Sequence, residues 1–429
     1  MSWQLLDLAL KHKAGTAVGV TAVCSAHPLV LRAAIAQAVA DDDVALIEAT
    51  SNQVDQFGGY TGLRPANFRD LARRIAAQEG LPADRLILGG DHLGPNRWQH
   101  EPAAPAMGKA ADLVAAYVAA GYQKIHLDCS MPCADDPRPL PDAVVAERAA
   151  RLLAVAERAA RQVGTHPVYV IGSEVPVPGG AHEDLGDLRA TTPQAARATL
   201  AAHREAFAAH GVDHAWDRVI GLVVQPGVEF DHQRVVQYER AKTRELRHVL
   251  DGEPTLLFEA HSTDYQLPER LTALVEDHWF VLKVGPGLTF NLREGLFALA
   301  HIEDELIPAR RRSDLRAVLE ARMIADPARW AAYYPGDDDA RRIARRYSYS
   351  DRLRYYLPDA DVAAAQDRLL RNLTGVDIPA PLIDQYLPAQ YERVLRGQVP
   401  ADPRALVMDR VRDALRPYAA ACHPEADPR

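Results

Sequence analysis

Cysteine is scarce in this chain of 429 residues: Cys24, Cys129, Cys133 and Cys422 are the full complement. Four scattered thiols do not make a disulfide framework, so reduced thiols are expected. Cys129 and Cys133 lie close in sequence, but no second Cys or His pair accompanies them, and a closed structural zinc site does not follow. Long apolar runs are missing too. No stretch approaches the roughly 20 residues that span a bilayer. The opening MSWQLLDLALKHKAGTAVGV lacks the basic start, apolar run and cleavage site of a secretory signal. A cytoplasmic protein with no membrane role is therefore expected. Positive charge is in deficit, with 49 Lys and Arg against 58 Asp and Glu and a formal net charge of -9. No basic stripe interleaved with aromatics occurs, which argues against a nucleic-acid partner. An anionic substrate would need a local basic pocket. Low-complexity segments are absent as well, and the remaining composition, 48% hydrophobic and 25% charged, is that of a globular chain with ample material for a core.

What is present is an alternation. Short apolar runs at 17–24, 44–49, 85–90, 123–128, 167–172, 218–224, 255–260 and 279–285 each end in polar or Gly-rich residues. Each is followed by an Ala/Leu-rich amphipathic stretch, at 29–40, 66–79, 105–120, 141–163, 192–210, 233–250, 266–276 and 290–306. Eight such β/α units predict an α/β fold of the (β/α)8 TIM-barrel type over residues 1–308. An open doubly wound sheet would carry a Gly-rich phosphate fingerprint after its first strand, and CSAHPLV has none. Beyond 308 the strand runs stop, and residues 309–429 read as a C-terminal helical extension packed on the barrel.

In such a barrel the site forms at the carboxyl ends of the strands and in the loops that follow them. Here those positions are polar: Cys24, Ser25 and His27, then Glu48, Ser51, Asn52 and Gln53, then Asp91 and His92, Asp128 and Ser130, Glu174, Gln225, His261 and Ser262, and Lys283. A catalytic divalent metal needs N and O ligands converging from different strands with one position left open. His92, Glu174 and His261 are the ligand candidates, with Gln225 as a fourth through its amide oxygen. Asp91 is placed to move protons beside the metal. Asp128 serves either as a second acid/base or as the acceptor that orients a ligating histidine. For an anionic group the candidates are the backbone of the SNQVDQFGGYTG loop and VGPGLTF, where Gly285 leads into a helix beside Lys283, Ser262 and Thr263. The segment YSYSDRLRYYLP, with Arg352 and Arg354, either docks a helix on the barrel or reaches across the pocket.

Long ordered motifs, among them VCSAHPLV, LIEATSNQV, LGGDHLGPN, KIHLDCSM, VPVPGG, QPGVEF, EAHSTDYQ, LKVGP and YSYSDRLRYY, resemble the accessory-subunit family of class II D-tagatose-1,6-bisphosphate aldolases nearly end to end. The resemblance implies a TIM barrel, and it implies two different activities. Members are described as noncatalytic subunits that support a class II aldolase catalytic subunit. Related proteins are described as metal-dependent carbon-4 epimerases of fructose and tagatose, of their phosphates or bisphosphates, or of keto-uronates. GGDHLG is similar to the Asp-His segment of true class II aldolases, which implies zinc on His92 and proton transfer by Asp91. Glu174 and His261 resemble later parts of that metal site, and Gln225 stands where a histidine is expected. The expected cofactor is one divalent ion, Zn2+ first, with Mn2+, Ni2+ and Co2+ as alternatives. The expected partner is a phosphorylated ketose, and Asp91, Glu174 and Asp128 are the acid/base candidates. A homo-oligomer is compatible with all of this.

Overall fold

The computed structural model describes residues 3–172, 185 and 188–423. Its eight long strands are β1 (Val20–Cys24), β2 (Ala45–Thr50), β3 (Leu86–Leu93), β4 (Lys124–Leu127), β5 (Val168–Gly172), β6 (Val219–Val223), β9 (Leu257–Ala260) and β10 (Trp279–Val284), while β7 (Glu229–Phe230) and β8 (Val235–Val236) form a separate hairpin. The eight run parallel and close on themselves in the order β1-β10-β9-β6-β5-β4-β3-β2. The TIM barrel expected from the sequence is the fold. Helices α1 (Trp3–Lys13), α2 (Pro28–Ala40), α3 (Pro65–Glu79), α4 (Ala103–Ala119), α5 (Asp142–Val163), α6 (Pro193–Ala209), α7 (Pro268–Glu276) and α8 (Pro286–Leu306) accompany the strands. Proline at the first turn of α2, α3, α6, α7 and α8 presets the backbone for helix entry at no hydrogen-bond cost. Helices α9 (Leu315–Ala325), α10 (Asp338–Tyr347), α11 (Ala360–Leu373), α12 (Ala380–Tyr386), α13 (Pro388–Leu395) and α14 (Pro403–Cys422) follow.

One expected helix does not form. Residues 233–250 give the second strand of the β7–β8 hairpin and two short 3-10 turns, Arg240–Lys242 and Leu246–Leu250. The Asp231 carboxylate accepts the N–H groups of Gln233 and Arg234, both at 2.7 Å, and this local turn competes with helix entry. Gln266 then holds the strand-like backbone, accepting from Tyr238 N at 2.8 Å and donating to Val236 O at 2.8 Å.

The barrel's two poles differ. At the amino end His12 of α1 donates through Nδ1 to Val18 O at 2.6 Å and meets Nδ1 of His278 through Nε2 at 3.0 Å. At the carboxyl end the interior carries charge. Glycine makes room for it: a Cβ on Gly89 would come within 2.6 Å of the Glu48 carboxylate. All four cysteines are free thiols, and among the described residues no helix is long and apolar enough to cross a membrane.

Candidate metal centre at the barrel mouth

Strand alternation sends every second side chain inward. On β4 these are Lys124 and His126, on β9 Glu259 with His261 just beyond it, and on β10 Lys283. Glu48 of β2 pairs in register with Gly89, and Gly89 with Lys124, so the two charges share a level. Lys124 Nζ lies 2.6 Å from Glu48 Oε1 and 2.7 Å from Glu259 Oε2. Lys283 Nζ lies 2.8 Å from Glu48 Oε2 and 3.5 Å from Glu259 Oε1, and it also pairs closely with Asp91. Three carboxylates and two ammonium groups are thus buried together, each with partners. Burial pulls both lysines down, but the surrounding carboxylates outweigh it and raise them above the usual lysine range. Neither amine is available for Schiff-base chemistry at neutral pH.

Asp91 follows Gly89 on the inward face. His92 would point outward by alternation, yet it sits in the left-handed region at φ 50, where the β3–β4 register shifts, and its ring turns into the mouth. Such strain in a non-glycine residue is sustained by the surrounding structure and concentrates at functional sites. The rings of His92, His126 and His261 form a cluster with centroids 4.9 to 5.3 Å apart.

The three differ in what their nitrogens do. His126 Nε2 donates to Gly172 O at 3.1 Å, and its Nδ1 lies 3.0 Å from Asp91 Oδ1 and 3.3 Å from the backbone N of His92. His92 Nδ1 lies 2.7 Å from Asp91 Oδ2, and its Nε2 has no hydrogen-bond partner, with Asp128 Oδ2 at 4.0 Å. His261 Nε2 lies 2.9 Å from Glu259 Oε1, and its Nδ1 is likewise buried without a partner. A ring held from behind by a carboxylate, with its other nitrogen free, is how proteins present histidine to a metal. Burial first, and Lys283 second, push His261 well below the usual histidine range, which keeps its lone pair available. Asp91 is pushed up by burial but driven well below the carboxylate range by His92, Lys283 and His126, so it is ionised. The residues therefore fit a divalent cation. Atoms of Asp91, His126, Glu259 and His261 also lie within 4.8 Å of one another, but His126 and Glu259 are engaged on all sides. His92 Nε2 and His261 Nδ1 are the partnerless nitrogens of the three-ring cluster.

A cleft opens above them, lined by Asp91, His92, His261, Lys283, Asn52, Gln53 and Ser262 among others. Ser25 and His27 line a second chamber that shares Cys24, Gln53, Tyr60 and Arg354 with the first. Ser51 is fully buried and lines neither. Asp128 lies beside His92, and its Oδ1 accepts from the hydroxyl of Ser130 at 2.7 Å and from its N at 3.0 Å. Glu174 lies outside the described residues.

Three expectations need correcting. Gln225 is not free to ligate, because its amide oxygen accepts from Gly227 N at 2.8 Å and Val228 N at 3.0 Å, which uses both lone pairs. Gly285 does not offer its N–H to an anion, because it donates to Asp264 Oδ1 at 2.9 Å. Arg352 turns away from the cleft, with its guanidinium 3.2 Å from the centre of the Tyr333 ring. Its neighbours Arg354 and Tyr355 line the cleft instead, Tyr355 packing on Tyr60 with ring centroids 4.9 Å apart. The extension thus reaches over the mouth. His126, Lys124, Glu259 and Asp264 were missed by strand-end reasoning. The signal was there: KIHLD and FEAH place polar residues at alternate positions of otherwise apolar strands.

Against known structures, the chain aligns with a probable tagatose 6 phosphate kinase from Sinorhizobium meliloti 1021 at 47% identity and a TM-score of 0.88, covering 94% of this chain and 100% of that one. More distant matches are the YdjI aldolase from Escherichia coli K12, at 13% identity and TM-score 0.43 over 72% of this chain and 87% of that one, and a fructose-bisphosphate aldolase from Campylobacter jejuni, at 13% and 0.44 over 86% and 91%. Residues 5–423 match one family model, and the chain belongs to the D-tagatose-1,6-bisphosphate aldolase subunit GatZ/KbaZ-like family.

Proposed function

We propose that this chain is a divalent-metal-dependent enzyme that opens and re-forms the bond between carbons 3 and 4 of a ketose or ketose phosphate, inverting carbon 4. The observation that carries the reading is the pair of buried, partnerless nitrogens, His92 Nε2 and His261 Nδ1, each backed by a carboxylate at the catalytic end of the barrel. A divalent ion bound there, zinc first, would supply Lewis-acid stabilisation of the enediolate that forms at carbons 2 and 3. Ionised Asp91 accepts the carbon-4 hydroxyl proton as the bond opens and returns it after the aldehyde fragment has turned its other face. Asp128 or Glu174 is the opposite acid/base partner. Asn52, Gln53 and Ser262 orient the sugar hydroxyls, and Arg354 receives an anionic end. The protonated lysines hold the carboxylates in place.

The test is turnover by the purified chain. After chelation and reloading with Zn2+, Mn2+, Ni2+ or Co2+, it should interconvert tagatose and fructose, or their phosphates, and Asp91→Asn should abolish this. The family description supports a second reading, a noncatalytic subunit of a class II aldolase. No turnover with any metal, together with increased activity of an added aldolase, would select that reading. A kinase reading, after the name of the Sinorhizobium relative, lacks a Gly-rich nucleotide loop in this chain.

A further inference from the structure

The amino end of α8 is where a barrel of this kind offers backbone N–H groups to a phosphate. In this chain those groups are already taken. Asp264 Oδ1 accepts from Gly285 N at 2.9 Å and from Gly287 N at 2.7 Å. The seat is shaped for the carboxylate, since a Cβ on Gly287 would lie 2.9 Å from that same oxygen. Asp264 is 2% exposed and lines the cleft.

The segment carrying Asp264 is held fast. Its neighbours Ser262 and Tyr265 both occupy the left-handed region, at φ 53 and 63. The Thr263 hydroxyl donates to Lys283 O at 2.6 Å, the Tyr418 hydroxyl to Thr263 O at 2.6 Å and the Tyr265 hydroxyl to Tyr349 O at 2.7 Å. Burial pushes the Asp264 carboxyl up to about 6 against the pull of the two N–H groups, which leaves it charged at neutral pH. Glu229, fully buried on the hairpin and pushed up to about 7 by burial, interacts with both Ser262 and Asp264. Of these two carboxyls Asp264 lines the cleft and Glu229 stands outside the lining. The outer chamber has the opposite character, with Arg32, Arg354 and Arg404 in its lining against the single carboxylate Asp367, although Arg32 is paired with Glu79.

We propose that Asp264 is a specificity determinant: the substrate end that reaches α8 carries a neutral hydroxyl, and the protein selects ketoses with at most one anionic end, seated toward Arg354 and the outer chamber. This rests on the reading of the cleft as a ketose site and narrows its substrate class to free sugars and single anions. A bisphosphate brings two anions to a site with one seat for them.

Calorimetric titration of the full-length, zinc-loaded chain with fructose 6-phosphate and with fructose 1,6-bisphosphate tests it. The wild-type protein should bind the monophosphate at least tenfold more tightly. Asp264→Gly, which frees both N–H groups, should bring the two affinities within threefold or reverse them, and Asp264→Asn should fall between. If Asp264→Gly does not fold, the Asn variant decides by the same ratio. Equal or tighter wild-type binding of the bisphosphate, an unchanged ratio in the variants, or no binding of either sugar overturns the proposal. Because the readout is binding, a protein that keeps the ratio but never turns over refutes the catalytic reading alone, and one that turns over but prefers the bisphosphate refutes this inference alone.

Discussion

Histidines close the barrel at one pole and open it at the other. At the amino end, both nitrogens of His12 are engaged, by Val18 O and by His278. At the carboxyl end His92 Nε2 and His261 Nδ1 have no partner although both rings are buried. Each pole contains a left-handed histidine, His278 at φ 75 and His92 at φ 50. Strain alone therefore does not mark a site. What separates these histidines is hydrogen-bond satisfaction, because a buried polar atom left unpaired costs stability unless something else binds it.

The largest effect should come from the charges beneath the open pole. Glu48→Ala leaves Lys124 and Lys283 each short of a carboxylate, and removing one partner from a buried ion pair costs about 3–5 kcal/mol. Urea unfolding should show that loss, and a loss below about 1 kcal/mol would mean that the interior is hydrated rather than dry. The closed pole should be next, and its signature is pH. His12 is lowered to about 4, by burial first and by His278 and Lys13 after the bond to Val18 is counted. Between pH 6.5 and 4 the unfolded chain binds a proton that the folded chain refuses, so stability is full above 6.5 and is lost as pH falls toward 4. Linkage makes that loss about 3 kcal/mol. His12→Gln should flatten the decline in melts taken across this range, and an unchanged slope would remove the distinction between the poles.

At the open pole, Glu259→Gln should weaken zinc binding about 10- to 100-fold, because His261 loses the carboxylate behind it. Competition with a chromogenic chelator measures this. The same substitution should leave the pH profile of the closed pole untouched. The smallest effect belongs to Arg354→Ala, which should raise KM for a monophosphate about tenfold, the worth of one screened charge contact, with kcat little changed. A fall in kcat alone would place Arg354 in the chemistry rather than in binding.

The fold was legible because eight apolar runs, each followed by an amphipathic stretch, admit few other closures. Residues 233–250 were not, because Asp231 and Gln266 act through bonds that leave no periodic trace. Asp91, His92 and His261 could be picked out because they end strands, though no sequence rule foretold that His92 reaches the cleft through a left-handed backbone. Arg352 and Arg354 illustrate the limit: two positions apart in one short turn, they face different surroundings, and only packing, of Arg352 on Tyr333 and of Tyr355 on Tyr60, decides which lines the cleft. Gln225 and Gly285 were plausible by residue type, but Gln225 was already spent on its own turn and Gly285 on the carboxylate of Asp264 in the preceding strand's loop.

Helix α14 packs against α2, α7 and α8, and it touches β1. Its last turn reaches the start of that strand, where Gly19 N donates to Cys422 O at 2.9 Å and the Thr21 hydroxyl lies 3.7 Å from Cys422 Sγ across 401 residues of chain. The seam between the first and last strands is therefore clasped by the segment that leaves the ribosome last among the described residues. Contacts of such sequence separation are entropically late, so the ring of strands, complete at Val284, is clasped only when α14 folds onto it.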